Sequence, residues 1–465
     1  MMHFKKELRP IAIVYLCTWL IFLILYCIGI WQAGVSFKEA MYQLLSVIPN
    51  ATFLIGFHFL FLLLYVLFLI GRYAIRGFKS NGWKTAFKRL SFSLILPVLF
   101  IFLSIKGVVA KNSKELYEYT WNHTIENTTE NATNLYDIDG KHRGMSVFWS
   151  YNRNEDYKKA TKDLIKDNIE WATVIPFIDQ ETEETNKIEG RVIPGVWSRR
   201  DSSVIKQIGW LQERGIRVHL KPHIWLVDGW RSNIKLSNED WTIWFDSYKE
   251  RMLQYARIAA VTDVPLFCIG TELRTVIKNK PDAWFELIKE IKTLYSGKLT
   301  YALNWDDPIE DIPFWDELDY IGLQAYFPLT TNKSPNLEEI KQGWDVHIEK
   351  MKIASQAYKK PILFTEVGYR SDVSATIKPW EWGAITGALT KKKSNQTQQL
   401  AYEAMFQKLW DEPWFAGCYI WQWHTGSTPE STKNSVDFTP RFKPAENTIT
   451  KWYGQKGKVT IKSNE

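Results

Sequence analysis

Two carboxylates stand where an apolar run stops. Glu272 ends FCIGTE (267–272) and Glu366 ends PILFTE (361–366). A hydrophobic core does not accommodate an unpaired charge, so each glutamate is expected at the open end of a strand. A facing pair of carboxyl groups can share acid–base and nucleophilic work. One carries a proton to a leaving oxygen and later activates water, while the other stays ionised and attacks. At ~5–5.5 Å apart, such a pair hydrolyses an acetal with retention of configuration. Either glutamate alone is as well explained by a structural ion pair; the two together carry the chemistry.

The elements that must position them form a regular alternation from Gly144 onward. Short apolar runs occur at GMSVFW, WATVIPF, RVHLKPH, PLFCIG, LTYAL, YIGLQAY, PILFTE and GCYIWQW, with helical patterns between most of them. The fifth connection, DDPIEDIPFWDEL, is short and weakly helical, and AENTITKWY supplies a last helix. Eight strands alternating with helices predict an α/β fold, a (β/α)8 TIM barrel over about 140–455. A doubly wound open sheet is the competitor, but it wants a glycine-rich turn after its first strand, and FWSYNRN has none. Glu272 and Glu366 then close strands four and seven, on opposite sides of the barrel mouth.

Strand three places His219, Lys221 and His223 on one face. His223, at the end, is the expected hydroxyl contact; the other two lie deeper, in a polar core. Nineteen of the 23 tryptophans fall between Trp149 and Trp452. Those just after strands, Trp149, Trp225, Trp230, Trp305, Trp380, Trp382, Trp421 and Trp423, offer aromatic faces to the C–H faces of a sugar. Trp210, Trp284 and Trp344, on helices, are expected in packing. Asn304, Asp306, Gln324 and Arg370 are further strand-end candidates for binding. The long connections 178–200 and 372–395 would form the rim.

The first quarter of the chain is different. IAIVYLCTWLIFLILYCIGIW (11–31) and ATFLIGFHFLFLLLYVLFLIG (51–71) are long enough to cross a bilayer, and a third run, about 90–109, spans once extended past Lys106. The first run is too long for a cleaved signal peptide and a second follows it. Residues 1–110 are therefore expected to be a membrane domain with three transmembrane helices. Six of the Lys and Arg in this region lie between the second and third runs, placing that loop and the N-terminus in the cytoplasm and everything after the third helix outside. These 110 residues hold 11 Lys and Arg against 2 Asp and Glu, leaving 47 against 49 for the remainder, so the net +7 reflects topology and gives no nucleic-acid footprint. Residues 111–139 read as a polar tether with N-x-[ST] sequons at Asn122, Asn127 and Asn131, and 456–465 as a polar tail. Cys17, Cys27, Cys268 and Cys418 show no metal or disulfide spacing, and no HExxH occurs, so neither metal nor cofactor is expected.

GTEL at strand four, TEVGYRS at strand seven, PWEW (379–382) and DFTPRFKPAENTITKWY (437–453) together resemble glycoside hydrolase family 113, within the large clan of barrel glycosidases that includes endo-β-1,4-mannanases. The resemblance covers about 140–455. It implies Glu272 as general acid/base, Glu366 as nucleophile, and Tyr326, ending strand six in QAYF, as the tyrosine that hydrogen-bonds the nucleophile. Two positions depart from the clan pattern: Thr271 stands where Asn usually precedes the acid/base, and ATVIPF does not end in the usual arginine. The implied activity is a membrane-anchored retaining β-glycosidase acting on β-mannan or manno-oligosaccharide chains, with a polysaccharide and the lipid bilayer as its partners. The same mechanism on another β-glycan, an exo-mannosidase or transglycosylase, and a non-catalytic carbohydrate sensor are the alternatives. A transporter is excluded, because three helices carry no paired repeat.

Overall fold

The computed structural model describes the chain except residues 1, 34–35, 49–50, 115–130, 150–156, 189, 191, 195, 383–386, 433–434 and 462–465. It divides into two compact units, Met1–Gly107 and Val108–Glu465.

Among the described residues, two helices are long and apolar enough to cross a membrane, Arg9–Ile30 and Phe53–Ser113. The first packs on the second through aromatic rings, with Trp19 4.3 Å and Tyr15 5.7 Å from Phe57 between ring centroids. The expected loop between the second and third apolar runs is itself helical, interrupted only at Asn81 and Gly82. Gly82 takes φ 74 and ψ −170, a conformation open in practice to glycine alone. The chain doubles back there. Arg89 Nη1 donates to the Tyr73 carbonyl at 3.1 Å and its guanidinium lies 4.5 Å from the Tyr73 ring. Sixteen residues of straight helix would hold them roughly 24 Å apart.

The second unit is a closed barrel of eight parallel strands: β1 His142–Phe148, β2 Trp171–Val174, β3 Arg217–Leu220, β4 Leu266–Thr271, β5 Lys298–Asn304, β6 Tyr320–Gln324, β7 Ile362–Val367 and β8 Phe415–His424. Each strand pairs with its neighbours in sequence and β8 returns to β1. The strands are buried almost throughout because helices cover the outside and side chains fill the lumen. Four of the described crossover helices start on side-chain caps. Ser198 and Asp201 form a reciprocal capping box at Arg199–Gln212, and Ser237 caps Asn238–Val261. The fifth connection has two 3-10 turns, Ile309–Asp311 and Trp315–Glu317, as its weak pattern foreshadowed. Trp284 and Trp344 are fully buried, in packing as expected.

Strand three does not run straight to His223. It ends at Leu220, and after Pro222 the chain forms a second strand, His223–Leu226, paired in parallel with Phe177–Gln180 in a two-stranded annexe above the barrel. The start of the expected rim loop 178–200 is therefore ordered sheet.

Of the expected tether 111–139, residues 115–130 lie outside the described residues, and the described stretch before the barrel packs against it. Glu170 accepts from Thr133 Oγ1 and the Leu135 amide, both at 2.5 Å, and from the Tyr136 amide at 2.8 Å, fixing the short helix Tyr136–Asp139 across the barrel floor. The described start of the expected tail joins it: the Gly457 and Thr460 amides donate to Asp139 at 2.8 Å.

Candidate active site

Both glutamates sit beside a bulge. On β4, three steps from Cys268 to Thr271 face two on β5, and on β7, two steps from Phe364 to Glu366 face one on β6. An extra residue re-aims the side chains that follow it. Glu272, just past β4, is also held at φ 54. In the ring β4 and β7 are separated by β5 and β6.

Glu366 is buried and held at both oxygens. Lys221 Nζ lies 2.7 Å from Oε1, and Tyr326 Oη donates to Oε2 at 2.9 Å. Burial, reinforced by the Glu366 charge, pushes the Tyr326 hydroxyl well above its ordinary range, so it stays a donor. His223 Nε2 is 3.5 Å from Oε1. Burial first, then the Lys221 and Arg231 charges, drives its pKa well below the usual imidazole range, so that contact is not an ion pair. Nε2 makes no hydrogen bond among the described residues.

Lys221 links the two carboxylates. Besides Glu366 it donates to Gln324 Oε1 at 2.7 Å and to the Thr365 carbonyl at 3.1 Å. Gln324 Oε1 also accepts from Thr365 Oγ1, which turns its amide nitrogen toward Glu272 Oε1, at 3.4 Å. Glu272 Oε2 meets Arg231 twice, at Nε 3.1 Å and Nη2 3.0 Å. Each buried carboxylate thus has its own cation.

A cavity of about 1220 Å³ opens above this network, and Glu366, His223 and Arg231 line it. Trp149, Trp225, Trp230, Trp382 and Trp421 line it too, with Trp225 49% and Trp382 56% exposed. Other expected residues lie elsewhere. Trp423 is buried under the Arg441 guanidinium, 4.7 Å away. The alternation that put it beside Trp421 breaks at a bulge, where three steps on β8 from Ile420 to Trp423 face two on β1. Arg370 is fully buried and ties the rim together, bound to Asp372 at 2.6 Å, to the Lys378 carbonyl at 3.3 Å and to the Glu381 carbonyl. It has no free donor face for a sugar. Trp305 and Trp380 stack on each other at 4.6 Å outside the cavity wall. Asn304 is engaged locally, with Asp306 at 2.7 Å and the Trp305 amide at 3.0 Å. Gln324 lies beneath the floor as a linker.

Arg231 was not anticipated, although it follows the expected Trp230 in DGWRS. Lys221 is buried among polar partners, as expected, and there it grips Glu366. No group of three metal-ligating side chains occurs among the described residues.

Two buried, cation-paired glutamates at the C-terminal mouth of a parallel barrel, under an aromatic cleft, define a barrel glycoside hydrolase. More narrowly, the chain belongs to Glycoside Hydrolase Family 113, whose family model matches residues 145–443. Solved structures similar to it include a GH113 β-1,4-mannanase complex, at 25% identity over 67% of this chain and 98% of that one, with TM-score 0.58. Another is the GH113 β-mannanase AaManA from Alicyclobacillus acidocaldarius, bound to ManMIm, at 27% identity over 68% and 97%, with TM-score 0.57. A search of curated protein sequences finds no match.

Proposed function

We propose that this chain is a membrane-anchored retaining β-glycosidase that cleaves β-1,4-linked mannan or manno-oligosaccharides by double displacement. The observation that carries the reading is the asymmetric environment of the two glutamates. Glu366 is gripped by Lys221 and Tyr326, which stabilise a carboxylate, and it lines the cleft as a nucleophile must. Attack by Glu366 on the anomeric carbon expels the leaving sugar, whose oxygen takes a proton from Glu272. Glu272 then deprotonates a water that displaces Glu366 and releases the product. Trp225, Trp230, Trp382 and Trp421 supply stacking faces, and His223, neutral with a free ring nitrogen, can bond a hydroxyl. The mannan specificity is supported by the family and by the similar mannanases.

The reading extends to three crossings, since the reversal at Asn81–Gly82 divides the second long helix, Phe53–Ser113, in two. The basic residues flanking that reversal support a cytoplasmic turn and an extracytoplasmic barrel. The test is the full chain in detergent micelles, alongside Glu366→Ala, given β-mannan, glucomannan, β-glucan and xylan while new reducing ends are followed. Cleavage of mannan by the parent alone is expected. Equal cleavage by both proteins contradicts the nucleophile, and silence on every glycan, with sugar-dependent thermal shifts in both, makes the site a sensor.

A further inference from the structure

The rim that carries Trp382 has little regular structure of its own. Between Asp372 and Lys393 its described residues hold one 3-10 turn, Gly387–Leu389, so its backbone groups need partners from outside. Two of those partners come from the end of the helix Leu96–Ser113, which carries the third apolar run. The Lys393 amide donates to the Asn112 carbonyl at 2.8 Å, and Asn112 Nδ2 donates to the Leu389 carbonyl at 3.3 Å. The need is mutual. A carbonyl in the last turn of a helix has no helical donor, and Lys393 is buried. The end of this helix, from Val108, belongs to the same compact unit as the barrel.

From these two contacts the rim is bonded step by step to the cleft wall. Lys393 pairs with Asp372 in an antiparallel bridge. Beside it the Val373 amide donates to the Lys392 carbonyl at 3.0 Å and the Ser394 amide to the Ser371 carbonyl at 2.8 Å. Asp372 holds Arg370, which donates to the Glu381 carbonyl. Lys391, between the two anchored positions Leu389 and Lys393, holds the Glu381 side chain at 2.7 Å. The next residue is Trp382, exposed on the cleft wall. We infer that Asn112 is a positioning residue: the end of the third apolar helix braces the rim and, through Glu381, sets the Trp382 face on which a sugar stacks. The helix is then a support of the substrate site as well as its anchor. This inference rests on the reading of Trp382 as a stacking face in a glycosidase cleft. The brace bears on binding and leaves the chemistry alone, because Glu366 is held by Lys221 and Tyr326, outside this chain of contacts.

The experiment compares the full chain in micelles with Asn112→Asp, Trp382→Ala and the two combined. Asn112→Asp keeps the size of the side chain and sets an acceptor against the Leu389 carbonyl where a donor stood. Hydrogen exchange in peptides spanning 371–382 and 389–394 should quicken roughly tenfold in Asn112→Asp, the size of one lost hydrogen bond, while β4 and β7 keep the parent's rates. On β-1,4-linked mannohexaose the same variant should raise KM roughly threefold to tenfold and leave kcat in place. Trp382→Ala should raise KM as well, and the combined variant no further, because the brace acts through that ring. Asn112→Ala, which deletes only the Nδ2 bond, should give the same pattern and decides the matter if Asn112→Asp does not fold. Unchanged exchange, a fall in kcat with KM in place, or KM effects that multiply in the combined variant overturn the brace. A parent that cleaves no mannan contradicts the proposed function instead, and the exchange then decides the brace by itself.

Discussion

Lys221 Nζ and Glu366 Oε1 meet at 2.7 Å in a buried ion pair that joins the end of β3 to β7 beneath the cleft. Both charges are out of water, so neither can be removed alone without stranding the other. Lys221→Met should destabilise the barrel by roughly 3–5 kcal/mol, the cost of an uncompensated buried charge. Thermal unfolding followed by near-UV circular dichroism reads this. The double variant Lys221→Met/Glu366→Gln should recover much of the stability and none of the turnover. A single variant that melts with the parent would contradict the pair.

Tyr326 reaches the other oxygen of Glu366, at 2.9 Å. A hydrogen bond to a charged group is worth about 1.5–3 kcal/mol, so Tyr326→Phe should lower kcat by roughly 10- to 150-fold. The substitution only deletes the hydroxyl, so the melting temperature should hardly change. Kinetics on β-1,4-linked mannohexaose check this.

Two tryptophans on the barrel mouth should behave oppositely. Trp225→Ala removes an exposed cleft face and should raise KM about tenfold, equivalent to about 1.4 kcal/mol of lost binding, with stability intact. Trp423→Ala empties a core position and should cost about 3–5 kcal/mol of stability. Paired KM and melting measurements separate them.

What could be read from the chain before its structure follows a physical pattern. Strand ends were legible because apolar runs stop sharply at Glu272, Tyr326 and Glu366, and a parallel barrel puts all such ends on one face. Trp423 was misplaced because period-two alternation assumes no bulge, and the extra residue on β8 is invisible in GCYIWQW. Arg231 escaped because its position depends on the annexe pairing of His223–Leu226 with Phe177–Gln180, which carries the following turn back over β4. Arg370 looked like a ligand contact because strand-end arginines often are; its partners, Asp372 and the 378 and 381 carbonyls, come from the folding of a rim that has no periodic signal. The third apolar run was legible from composition, while the reversal that sets it off hangs on the Asn81–Gly82 pair.

A buried carboxyl pair on the barrel's flank gives a pH dependence. Asp167 accepts from Thr450 Oγ1 at 3.0 Å, and Glu446 accepts from the Phe442 amide at 2.6 Å. Burial, added to by the Glu446 charge, holds Asp167 well above the usual carboxylate range. Burial also raises Glu446 from 4.5 to about 7. The folded state therefore binds more protons than the unfolded one across that window. The stability this contributes is complete below about pH 4.5 and is lost as pH rises through 7. Glu446→Gln should flatten the decline in melting temperature between pH 4.5 and 7.5, and a variant with the parent's slope would contradict it.

The central claim is that Glu366 attacks the sugar, and covalent trapping tests it most directly. The full chain in micelles would be incubated with 2-deoxy-2-fluoro-β-mannosyl fluoride, whose glycosyl-enzyme hydrolyses slowly, and its intact mass and peptide masses measured. One fluoromannosyl adduct on the peptide containing Glu366, absent from Glu366→Ala, is the predicted result. An adduct on Glu272, or mannan hydrolysis with no adduct on either glutamate, would contradict the account.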